Sequence, residues 1–93
     1  MVNNVGSFSV SIYPNPVKDQ LQVQVTSDCK LMLQVQVVSQ DGKVVMVDTW
    51  NVQEGTTTQK LNVSALQSGS YILKVASLNP PSGGREAVKF EKL

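Results

Sequence analysis

From Phe8 onward the chain alternates apolar and polar positions in one short run after another. Phe8, Val10 and Ile12 alternate with Ser9, Ser11 and Tyr13, and Leu21, Val23 and Val25 alternate with Gln22 and Gln24. Leu31, Leu33, Val35 and Val37 share one face of the next run. A period of two sends successive side chains to opposite faces of a sheet, so each run reads as a half-buried β-strand. Lys43 to Val52, Thr57 to Val63, the run through Tyr71, Leu73 and Val75, and Glu86 to Glu91 extend the series. No segment carries a helical period longer than a turn. The pattern predicts an all-β sandwich of about seven short, mainly antiparallel strands.

The residues between the runs say how the strands join. Pro14-Asn15-Pro16 ends the first strand, because two locked φ angles and two missing N–H donors forbid further pairing. Asp41-Gly42 is expected to supply the positive-φ pair of a two-residue type I′ hairpin turn. That turn sets Leu33 opposite Trp50 and Leu31 opposite Val52, but also Asp48 opposite Val35. The apolar run Val44-Val45-Met46-Val47 leaves the register ambiguous, and a bulge near Val47 would resolve the mismatch. Leu78 to Gly84, with its Pro-Pro and Gly-Gly pairs, reads as a loop. Leu66-x-x-Gly69-x-Tyr71 has the form of a corner between two sheets. Gly69 frees the backbone for a positive φ, Leu66 plugs the core, and the Tyr71 hydroxyl needs a partner. Immunoglobulin-like sandwiches place a tyrosine at such a corner, bonded to backbone a few residues upstream.

Composition narrows the function more than the fold. Ninety-three residues make one small domain, and a net charge of +1 advertises no nucleic-acid partner and no anionic membrane. Cys29 is the one cysteine, so no internal disulfide forms, and it reads as a half-buried or incidental thiol. No apolar run reaches the roughly 18 residues of a membrane helix. Met1-Val2-Asn3-Asn4 lacks the basic start and apolar stretch of a signal peptide. The short polar lead-in therefore suits the excised end of a longer exported chain better than a cytosolic protein. No histidine is present, and the seven carboxylates stand singly, mostly at turns. Catalytic, cofactor-binding and metal-ligating residues are accordingly none, and the expectation is a non-enzyme. Trp50 reads as core filler; exposed, it would be the start of a sugar-stacking surface.

Taken together, certain landmarks resemble the type A C-terminal sorting domain carried by type IX secretion cargo of Bacteroidetes. They are Tyr13-Pro14-Asn15-Pro16 with Leu21-x-Val23, then Asp41-Gly42-Lys43-Val44-Val45. Next comes Leu61-x-Val63-Ser64-x-Leu66-x-Ser68-Gly69-x-Tyr71-x-Leu73-Lys74-Val75, and finally Val88-Lys89-Phe90-Glu91-Lys92-Leu93. The resemblance spans about Ser9 to Leu93. It implies an immunoglobulin-like fold and a place at the end of a larger secreted protein. The implied partners are the type IX translocon, an outer-membrane shuttle protein, a sortase-like peptidase and an N-terminal cargo domain. The implied route runs through the periplasm to the outer membrane, cell surface or medium. On this reading residues 1–7 are a lead-in containing the cleavage region and 8–93 are the sorting domain. Two departures stand out: the segment Asn79 to Gly84 is long for the family, and Leu93 follows the terminal lysine.

The same resemblance makes Lys89, Phe90, Glu91, Lys92 and Leu93 the residues read by the translocon. A physical route exists, since a strand at a sheet edge exposes unpaired backbone groups to which a receptor can add a strand. Lys89 and Lys92 would steer by charge, and the terminal carboxylate of Leu93 would be a point of capture. Pro14, Asn15, Pro16, Gly42, Leu66, Gly69 and Tyr71 are read as shaping the fold, not as touching a partner. Two alternatives compete: an accessory sandwich for adhesion or carbohydrate binding, and a module that makes a homodimer by strand exchange.

Overall fold

The computed structural model describes residues 8–79 and 84–93. The strands are β1 (Phe8–Tyr13), β2 (Gln20–Ser27), β3 (Leu31–Ser39), β4 (Val44–Val52), β5 (Gly55–Asn62), β6 (Gly69–Asn79) and β7 (Arg85–Lys92). They form a three-stranded sheet in the order β1-β2-β5 and a four-stranded sheet in the order β4-β3-β6-β7. Every strand pairing is antiparallel. This is an all-β, immunoglobulin-like sandwich, as the alternation and the corner predict. The expected cleavage region in residues 1–7, and residues 80–83 of the expected loop, lie outside the described residues.

The alternation read from the sequence is the alternation of burial. Leu21, Val23 and Val25 of β2, Leu33 of β3 and Leu73 of β6 are wholly buried between the sheets. Each such side chain contributes about 1.5–3 kcal/mol by leaving water, which is how a domain of this size stands without a disulfide. Trp50 lies in the same core at 6% exposure, as core filler, and is not available for sugar stacking.

Three expectations about connections need correction. Asp41 does not take a positive φ; Gly42 alone does, at +91°. The Gly42 N–H donates to the Ser39 carbonyl at 2.9 Å and the Ser39 N–H to the Lys43 carbonyl at 2.8 Å. The loop thus has three residues, Gln40 to Gly42, a tight turn followed by a left-handed glycine, instead of the two-residue type I′ form. The register does set Leu33 opposite Trp50, Leu31 opposite Val52 and Asp48 opposite Val35. The irregularity falls between Val37 and Val38, beside Val45, not near Val47. Asp48 needs no bulge of its own, because its carboxylate accepts the Trp50 indole N–H at 2.9 Å and the Thr49 N–H at 2.8 Å. Lastly, Leu78 and Asn79 belong to β6, with Asn79 paired to Met32.

Strand direction sorts the molecule into two ends. β1, β3, β5 and β7 all run one way, so Phe8 and the β2–β3, β4–β5 and β6–β7 connections gather at one end. The β1–β2 and β3–β4 connections, the β5–β6 corner and Leu93 gather at the other.

Candidate recognition site at the terminal end

β7 presents its side chains in alternation. Lys89, Glu91 and Leu93 are exposed, with Leu93 at 62%. Phe90 is wholly buried and stacks on Tyr71 with ring centroids 5.6 Å apart. Lys92 is 9% exposed, and its ammonium donates to the Leu93 backbone oxygen at 2.9 Å. Glu91 is steadied from β6, where the Ser70 hydroxyl donates to its carboxylate at 2.7 Å. Lys89, Glu91 and Leu93 are therefore the side chains available to a partner, Phe90 supports them from the core, and Lys92 is not free to steer by charge.

The outer edge of β7 is not open along its whole length. Val17, wholly buried, forms a parallel bridge with Lys92. Its N–H donates to the Glu91 carbonyl at 2.9 Å, and its carbonyl accepts the Leu93 N–H at 2.8 Å. Two residues further back on the same side, the Asn15 carboxamide accepts the Glu91 N–H at 3.0 Å and donates to the Lys89 carbonyl at 3.4 Å. Pro14-Asn15-Pro16, with both Tyr13–Pro14 and Asn15–Pro16 peptides cis, does end pairing with β2 at Tyr13–Gln22. It does not forbid pairing altogether, as the sequence suggests, because the chain crosses to the other sheet. Strand addition at the last three residues meets backbone groups already engaged; among the described residues Arg85 to Val88 is the open part of the edge.

The corner and the hairpin stand beside this strand end. Gly69 has φ +151°, and an added Cβ there would meet nothing within 4 Å, so the backbone angle is what favours glycine. The Tyr71 hydroxyl donates to the Gln67 carbonyl at 2.6 Å, closing the corner. Leu66 is half-buried against the core, its N–H donating to the Val63 carbonyl at 3.0 Å. An open hollow of about 570 Å³ separates the corner from the hairpin and is lined by Asp41, Lys43, Val45, Leu66, Ser68 and Tyr71 among others. The Ser39 hydroxyl donates to Asp41 and holds its carboxyl below the usual carboxylate range.

The family model for the secretion system C-terminal sorting domain matches residues 11–82. The chain belongs to that family. Its sorting domains are the type IX secretion signals of larger cargo proteins, and this one carries the family pattern from β1 through β6; β7 lies beyond the matched residues. No curated protein matches the chain. Among solved structures the sorting domain is similar to part of dimeric latent PorU from Porphyromonas gingivalis, with a TM-score of 0.77 and 16% identity. That likeness covers 95% of this chain and 9% of the PorU chain, and shows a shared fold. A β-glucosidase from Kluyveromyces marxianus aligns at TM-score 0.45 and 14% identity over 92% of this chain and 15% of its own, too loosely to carry an argument.

The sorting domain thus brings together, at one end, residues scattered along the sequence. Pro14, Asn15 and Pro16 lie against β7, Gly42 tips the hairpin, and Leu66, Gly69 and Tyr71 make the corner beneath Phe90. Val17 is the member that sequence reading misses: a single apolar residue between Pro16 and Lys18 has no periodic neighbours to reveal its bridge to β7. Among the described residues no group of three or more His, Cys, Asp or Glu could hold a metal ion, and no helix is long and apolar enough to cross a membrane.

Proposed function

We propose that the type IX translocon reads this sorting domain at the end where β7 finishes, with Lys89, Glu91 and Leu93 as the contacting side chains. An outer-membrane shuttle protein receives the domain, and a sortase-like peptidase cuts within residues 1–7. The cargo, joined before Phe8, passes through the periplasm to the cell surface or medium, either anchored or free. The observation that supports this reading is the separation of ends. Phe8, where a cargo would join, is at one end of the sandwich, and the family landmarks converge with Leu93 at the other. A folded cargo would leave the read surface unobstructed.

The test is a fusion of residues 1–93 behind a periplasm-exported fluorescent protein in a type IX-competent bacterium. A second fusion lacks Glu91-Lys92-Leu93. The complete fusion is expected at the surface or in the medium, trimmed of the domain, while the truncated one stays periplasmic. Both remaining periplasmic and intact would overturn the reading.

A second reading, a homodimer, draws on β4. It is an edge strand on which Val44, Val45 and Val47 are 46%, 38% and 59% exposed, and Asp48 is its only charge. Light scattering on residues 1–93 decides it: a mass of one chain at all concentrations removes the dimer.

A further inference from the structure

The bonds between Asn15, Val17 and β7 follow the pattern of a parallel ladder. In such a ladder one residue donates its N–H to a carbonyl on the neighbouring strand and accepts the N–H two residues further on. Val17 does this with the Glu91 carbonyl and the Leu93 N–H. The next residue on the same side, two positions back, would do the same with the Lys89 carbonyl and the Glu91 N–H. Asn15 meets both groups, but with its side chain: Nδ2 donates to Lys89 and Oδ1 accepts from Glu91. Its carboxamide stands where a backbone peptide group would stand. The amide side chains suit this role because, uncharged at neutral pH, they carry a donor and an acceptor on adjacent atoms. The flanking prolines hold the backbone in the turn, and the side chain continues the ladder that the turned backbone leaves.

We infer that Asn15 and Val17 are positioning residues of the recognition end. They occupy the edge that a partner strand would otherwise take, and so hold Glu91 to Leu93 as a closed, ordered surface. That surface is read through the side chains of Lys89, Glu91 and Leu93, not by strand addition at the last residues. This rests on the sorting reading proposed above. It also ties the signal to the strand that the cargo would precede, because the clasp is the direct continuation of β1.

Amide hydrogen exchange on residues 1–93 tests the clasp directly. In Asn15→Leu, similar in size and without the amide, the Glu91 N–H is expected to exchange at least tenfold faster. Leu73 and Phe90, paired within the sheet, are expected to keep their rates. Asn15→Asp retains the acceptor for Glu91 but sets a second oxygen against the Lys89 carbonyl, so its Glu91 rate is expected between the two. An unchanged Glu91 rate in Asn15→Leu, or an equal acceleration at Leu73 and Phe90, would overturn the clasp.

Export of the same variants behind the fluorescent cargo then tests positioning. Secretion is expected to fall about tenfold in Asn15→Leu and less in Asn15→Asp, with the sheet amides intact. Export of Asn15→Leu at the unmodified level would overturn the role in recognition. If the unmodified fusion is not exported, the sorting reading falls and the recognition role with it, while the exchange rates still decide the clasp.

Discussion

At the end of the sandwich where Phe8 enters, near neighbours in the sequence hold the connections. The Ser27 hydroxyl donates to the Cys29 carbonyl at 2.5 Å and accepts the Cys29 N–H at 3.2 Å, and the Ser77 N–H donates to the Gly84 carbonyl at 2.9 Å. At the end where Leu93 finishes, local bonds close the hairpin and the corner in the same way, but others reach across the chain. Asn15 meets Glu91, 76 positions away, Val17 meets Leu93, and the Val63 N–H donates to the Asp19 carbonyl at 2.8 Å. The first arrangement closes turns. The second fixes segments from both halves of the chain relative to one another, as a surface must be if it is to be read in one shape. Where the fold commits non-local bonds is where we place its function.

Substitutions at the two ends should therefore differ in consequence. The largest effect is expected from Phe90→Ala, which empties a wholly buried ring site beneath the terminal strand. A loss of about 3–5 kcal/mol is expected from urea unfolding. Gly42→Ala comes next, since the glycine sits at φ +91° with no neighbour near a would-be Cβ. The cost is the backbone angle alone, about 1–2 kcal/mol. Tyr71→Phe keeps the stack on Phe90 and removes the hydroxyl bond to Gln67. About 1 kcal/mol of stability is expected to go with it, and a loss near zero would mean that the stack alone holds the corner.

Smaller effects sharpen the contrast. The Asp41 carboxyl lies below its usual value of 3.8, chiefly because of the Ser39 hydroxyl, with the local backbone N–H groups and Lys43 adding to it. A depressed folded value gives stability that is present above the unfolded value and lost as pH falls through the folded one. Acid unfolding should therefore show a slight extra loss below about pH 4 that Asp41→Asn removes. At the opposite end, burial and the neighbouring Asp28 carboxylate push the Cys29 thiol up. Slow maleimide labelling at pH 7 is expected, quickening only well into the alkaline range. Fast labelling at neutral pH would show that this end is looser than its bonds imply.

Much of this architecture could be read from residue types alone. The period of two marked most of the strands, β4 excepted, and Gly69 and Tyr71 marked the corner, because these signals are local. The pairing of Leu33 with Trp50 agrees with the one a two-residue turn predicts, because the irregularity between Val37 and Val38 offsets the extra loop residue. The position of that irregularity was not legible, since Val44 to Val47 is apolar on both faces and hides an extra residue among equivalents. The turn at Asp41-Gly42 was misjudged because the same dipeptide also suits a tight turn ending in a left-handed glycine. The clasp was out of reach for a different reason. Asn15 between two prolines looks like a turn and nothing more, and its partners lie at the far end of the chain. Lys92 looked like a free charge because sequence does not show that its ammonium folds back onto Leu93.

The central claim is that the terminal end, not the end that receives the cargo, carries the export signal. It is tested most directly by altering exposed side chains at one end at a time in the fluorescent fusion. One variant carries Lys89→Ala and Glu91→Ala; the other carries Lys30→Ala, Gln53→Ala and Glu54→Ala at the Phe8 end. Both are first matched for urea midpoint. The account predicts that the first is retained in the periplasm and the second reaches the surface or medium as the unmodified fusion does. Export of the first with retention of the second would contradict it.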